Sequence, residues 1–501
     1  MTCTCSSLQI RGDVVELAVE LGGAQPADLQ AAPALVVESA ADQARVQLAA
    51  SSCSGGTACY SLGLGHGGNL AAFDSGKLFF FVGGEPVTAD KALAKGVRVE
   101  ADMHANSFGV DKNGALLCKV KVAWPAYQDT KEKREANERR LYPLFCHLPL
   151  KKDKVFFESF SKRTFSDNPK AIYEELAARD AGFDCVWGLR NNKTDVGPGG
   201  RVVRQDSLAY WYHLATAKYI VCNFNQYRVR KRKGQVMVNT MHGVPLKHMG
   251  LSVAKSAATV ESMKRTFASW DYFVTPSDYM SNILRGEHFG FTGRFIEAGY
   301  PRNDVLIAGA ADTAKREQVR RALGVPQGKK MILWAPTWRT KKRFDLQLDL
   351  ALLEQALGDE YVLVLRSHYL ESAFVSPSIY NSFVLNGHGY ENVNEMLFAA
   401  DVLITDYSSI MFDYSLLQRP MVFFCWDYDR YMNEARGTYF DLRAEFPELV
   451  AHDSAGVLQR LQHQDELMPA VQRFHAKFNQ YDYGDASAKV VDALWPKARR
   501  A

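Results

Sequence analysis

Residues 402–424, VLITDYSSIMFDYSLLQRPMVFF, place Asp406, Ser408 and Ser409 between an apolar run, Val402 to Ile404, and a segment with helical periodicity. Hydroxyls where a helix opens can donate to an anion, because the first N–H groups there lack partners and the dipole end is positive. The alternative is that Ser408 or Asp406 caps the helix and does nothing more. Other apolar runs end similarly. VMV leads into NTMHGVPLKHMG, with His242, Gly243 and Lys247. MIL leads into APTWR, with Thr337 and Arg339, and YVLVL into RSH, with Arg366 and His368. TPSDYM and GYPRND add Ser277 and Arg302. Arginines, histidines and hydroxyls gathered at several strand ends suit a multiply charged phosphate. No Walker lysine loop, G-x-G-x-x-G or acidic metal pair is evident, which disfavours a P-loop NTPase or a nicotinamide enzyme.

Such residues need a scaffold that brings strand ends together. From about residue 153, strand-like runs (KVFFESF, YIVCNFN, VMVNTMHG) alternate with helical ones (NPKAIYEELAARD). After Gly299-Tyr300-Pro301 the alternation restarts with KMILWAPTW and continues to MVFFCW. This order predicts parallel sheets covered by helices, as two doubly wound domains over 153–300 and 301–501. Ligands of such sheets bind beyond the carboxyl ends of the strands. Residues 1–124 differ: short strand-like runs are broken by Gly, Ser and Asp, and Asn113-Gly114 is a hairpin signal. They predict a small all-β, sandwich-like accessory domain. Residues 125–152 read as a linker, with the charged helix candidate QDTKEKREANERR followed by LYPLFCHLPLKK. Its aromatic and Leu residues beside Lys151, Lys152 and Lys154 suit either a membrane surface or packing on the next domain. Pro143 and Pro149 interrupt any long amphipathic helix there.

Composition narrows the classes. A chain of 501 residues exceeds one ordinary core, and 47% apolar with 23% charged residues is the balance of a soluble globular protein. A net charge of +4 gives no argument for nucleic acid, but it suits an anionic substrate or membrane surface. Nine cysteines without a C-x-x-C pair imply reduced thiols in the cytoplasm. There is no signal-peptide core, and apolar runs such as Leu78 to Val82 are too short to span a bilayer, so membrane contact would be peripheral.

The ordered set MHGVPLK, GYPRND, APTWR, RSH, TDYSSIMFDYSLLQRPMVFF and RGTYFD resembles the motifs of the CDP-glycerol glycerophosphotransferases, the teichoic-acid polymerases and primases and their capsule-forming relatives. The resemblance covers roughly 153–490. It implies a GT-B fold, and transfer of a polyol phosphate, glycerol phosphate first, from a CDP-polyol to a teichoic-acid-like, capsular or lipid-linked acceptor with release of CMP. It also implies work at the inner face of the cytoplasmic membrane. The usual Trp-His-Gly-Thr-Pro is here Met241-His242-Gly243-Val244-Pro245, so the histidine is kept and a hydroxyl is lost.

In that reaction the acceptor hydroxyl must lose a proton while charge develops on the phosphoryl oxygens and the leaving group. His242 is the candidate base, since an imidazole titrates near pH 6.5. Arg339, Thr337, Asp406, Ser408 and Ser409 are expected to face the CDP-polyol phosphates, with His368 as a second catalytic group at the same pyrophosphate. Lys247, Arg302 and Asp413 are secondary contacts, Asp413 by orienting its helix or a partner side chain. Glu395 would bind ribose hydroxyls or be a solvated first-turn carboxylate. No metal or cofactor is expected. Two alternatives stay open: a GT-B glycosyltransferase using a nucleotide sugar, and a non-catalytic polymer-binding protein.

Overall fold

The computed structural model describes residues 2–12, 14–23, 33–39, 45–64, 76–95, 97–101, 104–122, 124–162, 164–179, 182–190, 194–254, 256–309, 312–337, 346–367, 375–388, 390, 392–434 and 437–498. The chain divides into two compact units, Met1–Arg140 and Leu141–Ala501.

In the first unit, eleven strands form one connected sheet: β1 (Thr2–Arg11), β2 (Val14–Gly22), β3 (Leu35–Ser39), β4 (Arg45–Leu48), β5 (Ser52–Ser54), β6 (Thr57–Gly63), β7 (Gly76–Val82), β8 (Glu85–Ala89), β9 (Arg98–Ala101), β10 (His104–Val110) and β11 (Leu116–Val122). Inner and outer residues alternate along β2, Val15, Leu17 and Val19 being buried, as one-faced antiparallel strands require. Buried side chains of β1, β2 and β6 share one core with those of β7, β10 and β11, so the sheet closes on itself like a sandwich. The hairpin expected at Asn113-Gly114 is present between β10 and β11. Gly114 takes φ +85°, and Asp111 Oδ1 accepts from the amides of Asn113 and Ala115.

In the second unit, two fully parallel sheets follow one another. The first has the order β14-β13-β12-β15-β16-β17-β18, from β12 (Lys151–Glu158), β13 (Asp184–Leu189), β14 (Gly200–Arg204), β15 (Ala217–Cys222), β16 (Val236–Asn239), β17 (Tyr272–Thr275) and β18 (Arg294–Glu297). The second has the order β21-β20-β19-β22-β23-β24, from β19 (Lys330–Ala335), β20 (Tyr361–Leu365), β21 (Val384–Asn386), β22 (Val402–Thr405), β23 (Met421–Phe424) and β24 (Val450–Ala451). β19, β20, β22 and β23 are nearly continuous apolar runs because helices cover both faces. The helix Ala486–Leu494 does not stay with the second sheet. Val490, Val491 and Leu494 belong to one core with Val155, Trp187, Val221 and Val238 of the first, the helix lying against the helix Asp167–Ala178 and β18, and the Trp495 ring meets those of Phe183 and Tyr219.

Candidate active site

The loop after β16 leaves the core of the first sheet at Met241 and enters that of the second at Val244 and Leu246. The two departures from the usual family motif are therefore buried packing positions. Between them His242 is exposed, and Gly243 touches the other sheet: a Cβ there would stand 2.7 Å from Ser409 Oγ. The loop that carries His242 and the start of the helix after β22, at the ends of strands in different sheets, thus meet at Gly243 and Ser409. The same loop is pinned further along, where Lys247 forms a β-bridge with Thr438 and Tyr439 N–H donates to Leu246 O at 2.9 Å. MHGVPLK and GTYFD, nearly two hundred residues apart, are one structure.

Behind this contact lies a buried polar network. Arg302 donates through Nη1 to Asp167 Oδ2 at 2.6 Å and to the carbonyl of His242 at 2.7 Å. Through Nη2 it makes two 2.9 Å bonds to the Asp413 carboxylate. Asn303 donates to Asp413 at 2.8 Å, and Asn223 donates to Asp167 at 3.0 Å. Arg302 and Asp413 are therefore committed to each other across the two sheets. Gly299 just upstream takes φ +87° and leaves room for Asp482, which a Cβ would strike. Burial pushes the Asp482 carboxyl up to about 8.

Desolvation holds the His242 imidazole below its ordinary pKa. Asp167 opposes that shift and Arg302 adds to it. The residue is exposed, and an imidazole held below its ordinary value is neutral at neutral pH and able to take a proton. It makes no hydrogen bond to another side chain among the described residues, and its ring neighbour is Phe160, at 5.7 Å between centroids.

Phe160 belongs to an unusual turn after β12. Phe160, Ser161 and Lys162 have φ of 41°, 55° and 72°, left-handed values that cost on the order of 1 kcal/mol or more for each non-glycine residue. The turn is held from several sides. Asn223 Oδ1 accepts from Phe160 N–H at 2.8 Å, Lys162 N–H donates to Ser159 O at 2.7 Å, and Lys162 O accepts from Arg190 N–H at 2.8 Å. The Lys162 ammonium stands 4.0 Å from the fully buried Glu158, which also accepts from Tyr210 at 2.7 Å. Burial nevertheless raises Glu158 to about 7.

On the second sheet, Ser408 and Ser409 precede the helix Ile410–Ser415, which is shorter than its sequence suggests. Ser409 makes no side-chain capping bond, and Ser408 Oγ approaches Ile410 N–H at no closer than 3.5 Å. The capping alternative thus has little support, but with so short a helix the hydroxyls count for more than the dipole. Asp406 is buried and accepts from the amides of Thr337 and Tyr407 at 2.8 and 2.6 Å, bracing one strand end against the next. Glu395 pairs with Lys315 at 3.2 Å and accepts from Tyr390. Ser277 caps the helix Asp278–Arg285. Arg366 turns onto the carbonyls of Gly387 and Tyr390. Arg339 and His368 lie outside the described residues. Asp167, Asn223 and Phe160 were not foreseen; a cue to the first was SDNP, a turn cluster beside a helix start.

Two facing, doubly wound parallel sheets with their polar strand ends in contact define a GT-B-type protein. The profile of the CDP-glycerol:poly(glycerophosphate) glycerophosphotransferases matches residues 140–496, and the chain belongs to that family. It is 34% identical to a teichoic acid poly(glycerol phosphate) polymerase of Staphylococcus epidermidis over 72% of this chain and 53% of that one. A polymerase of the same description from Bacillus spizizenii is 34% identical over 69% of this chain and 93% of its own length. A teichoic acid glycerol-phosphate transferase of Staphylococcus aureus is 31% identical over 71% and 95%. The chain thus spans about half the length of the first relative and nearly all of the other two. The solved structure of the wall teichoic acid polymerase TagF superposes with a TM-score of 0.67 at 31% identity, covering 73% of this chain and 96% of that one. Residues 1–139, the first unit but for its last residue, lie outside the family match.

Proposed function

We propose that this protein transfers a polyol phosphate, glycerol phosphate first, from a CDP-polyol to a hydroxyl of a teichoic-acid-like, capsular or lipid-linked acceptor, releasing CMP. The observation that carries this is the contact of Gly243 with Ser409, which joins the loop that carries His242, its imidazole held below its ordinary pKa, to the largely uncommitted serine hydroxyls of the opposite sheet. The acceptor oxygen attacks the phosphorus that bears the polyol. Its proton passes to His242, the P–O bond to CMP breaks, and a phosphodiester forms. Residues 153–300, with the returning helix Ala486–Leu494, form the acceptor side, and the rest of 301–501 the donor side. Ser408 and Ser409 donate to the donor phosphates, and Thr337, with Arg339 and His368, which follow β19 and β20 in the sequence, is assigned to the same phosphates. Arg302, Asp413 and Asp406 act by holding those ends in place. Lys247 stays beside the cleft, with its ammonium 5.5 Å from the Tyr431 ring centroid.

The reading includes peripheral contact with an anionic membrane. No helix among the described residues is long and apolar enough to cross one. Leu144 and Leu148 are exposed, and Arg232 of the basic stretch 228–233 donates to Leu148 O at 2.6 Å, so apolar and basic groups share one surface. Part of that charge is used internally, since Arg228 pairs with Asp206 and Lys231 with Asp271.

The test is incubation of the purified protein with a panel of CDP-polyols, with and without a lipid-linked acceptor. CMP and a new phosphodiester are expected. A nucleoside diphosphate with a glycosidic product from a nucleotide sugar, or no turnover of any CDP-polyol, overturns the reading.

A further inference from the structure

Among the described residues the imidazole of His242 lacks what a general base ordinarily has, a hydrogen-bonded side chain that fixes its orientation. Asp167 is near, but its oxygens go to Arg302 and Asn223. The ring of Phe160 remains, 38% exposed and inclined at 41° to the imidazole. Three successive left-handed residues persist only where their surroundings over-determine them, and such strain concentrates at functional sites. Here the surroundings are one network. Asn223 holds the amide of Phe160 and the carboxylate of Asp167, Asp167 holds Arg302, and Arg302 holds the carbonyl of His242. The two rings are thereby fixed relative to one another from both backbones. An exposed phenyl has no reason of its own to be held so firmly in a polar cleft.

We infer that Phe160 is a positioning residue for His242: presented on the left-handed turn after β12, its ring walls one face of the imidazole and fixes it in the cleft. The inference rests on His242 being the base in the proposed transfer. Its effect on the imidazole's hydration is separate from that role and can be read without turnover. Of the charged groups around the imidazole, Asp167 and Asp413 favour its charged form and Arg302 opposes it. None of these changes when Phe160 is replaced, so any change in titration reports the lost wall.

Two measurements on the full chain test it. In the first, His242 is modified by diethyl pyrocarbonate across pH and the modified peptide is quantified by mass spectrometry. The midpoint is expected below that of a free imidazole in the wild type and in Phe160→Tyr. In Phe160→Ala it is expected to rise by about half a unit or more towards 6.5. In the second, CMP release is followed across pH. Phe160→Ala is expected to lose about tenfold or more in kcat, with its acid limb moved upward and KM for the donor little changed, and Phe160→Tyr is expected to restore both. Because the phenyl is partly exposed, the melting temperature should stay near wild type, and Phe160→Leu serves if the alanine variant melts early. An unchanged His242 midpoint in the alanine and leucine variants overturns the inference whether or not the protein turns over CDP-glycerol. Failure of the wild type to release CMP while the midpoint still moves overturns the functional reading and leaves the wall.

Discussion

The strand ends of the two parallel sheets carry similar residue types and use them differently. Around the first sheet, Asp167, Asn223, Arg302 and Asn303 are joined to one another and to Asp413 of the second, and the product of that bonding is a fixed position for His242. At the end of β22, Ser408 and Ser409 keep their hydroxyls almost uncommitted. Charged groups that bond each other build a frame, whereas polar groups left over can meet a ligand. A strongly charged strand end is therefore no guide to which side touches substrate.

The sharpest way to break this contrast is His242→Ala. Loss of a general base costs about 10²–10⁴-fold in rate, with donor affinity expected within a few fold of wild type by CDP-glycerol titration. Near-normal CMP release would remove the frame's purpose. Next in size is Arg302→Ala, which leaves two buried carboxylates, at 6% and 9% side-chain exposure, without their cation. A loss of roughly 3–5 kcal/mol of stability is expected in chemical denaturation. A variant as stable as wild type would mean the network is dispensable.

The serine pair should behave in the opposite way. Changing both Ser408 and Ser409 to alanine removes two charge-assisted bonds, each roughly 1.5–3 kcal/mol, so kcat/KM should fall about a hundredfold or more with little change in melting. Early melting with normal turnover would make them structural after all. The smallest effect is in pH. Glu158 is raised to about 7 in the folded protein, so the folded state binds more protons than the unfolded one between the ordinary carboxylate range and that value. Stability should therefore decline as pH rises through that window, and Glu158→Gln should flatten the decline. Identical melting profiles for the two proteins from pH 5 to 8 would show that Lys162 compensates the buried charge in full.

The parallel sheets were legible because a strand buried on both faces writes itself as an unbroken apolar run, as in KMILWA and VLIT. The serines and His242 were legible because they follow such runs directly. The frame was not. Asp167 and Arg302 are 135 positions apart and Phe160 and Asn223 are 63 apart, and nothing local in a sequence announces such pairs. Left-handed backbone at Phe160 and Lys162 was equally silent, since the usual signal is glycine or asparagine. Glu395 and Asp406 show the reverse case, of residues placed where a ligand was expected but bonded to Lys315 and Tyr390 or to backbone amides.

The helix Ala486–Leu494 has a consequence for the order in which this protein can be made. It covers one face of the first sheet, yet it emerges from the ribosome almost two hundred residues after β18, once the whole second sheet has been translated. During that interval the helix Asp167–Ala178, β18 and the ring of Tyr219, which this helix and Trp495 lie against, lack that cover and are open to the wrong partner. The first sheet is begun early and finished last, so a pause or truncation far downstream damages the half of the cleft that carries His242.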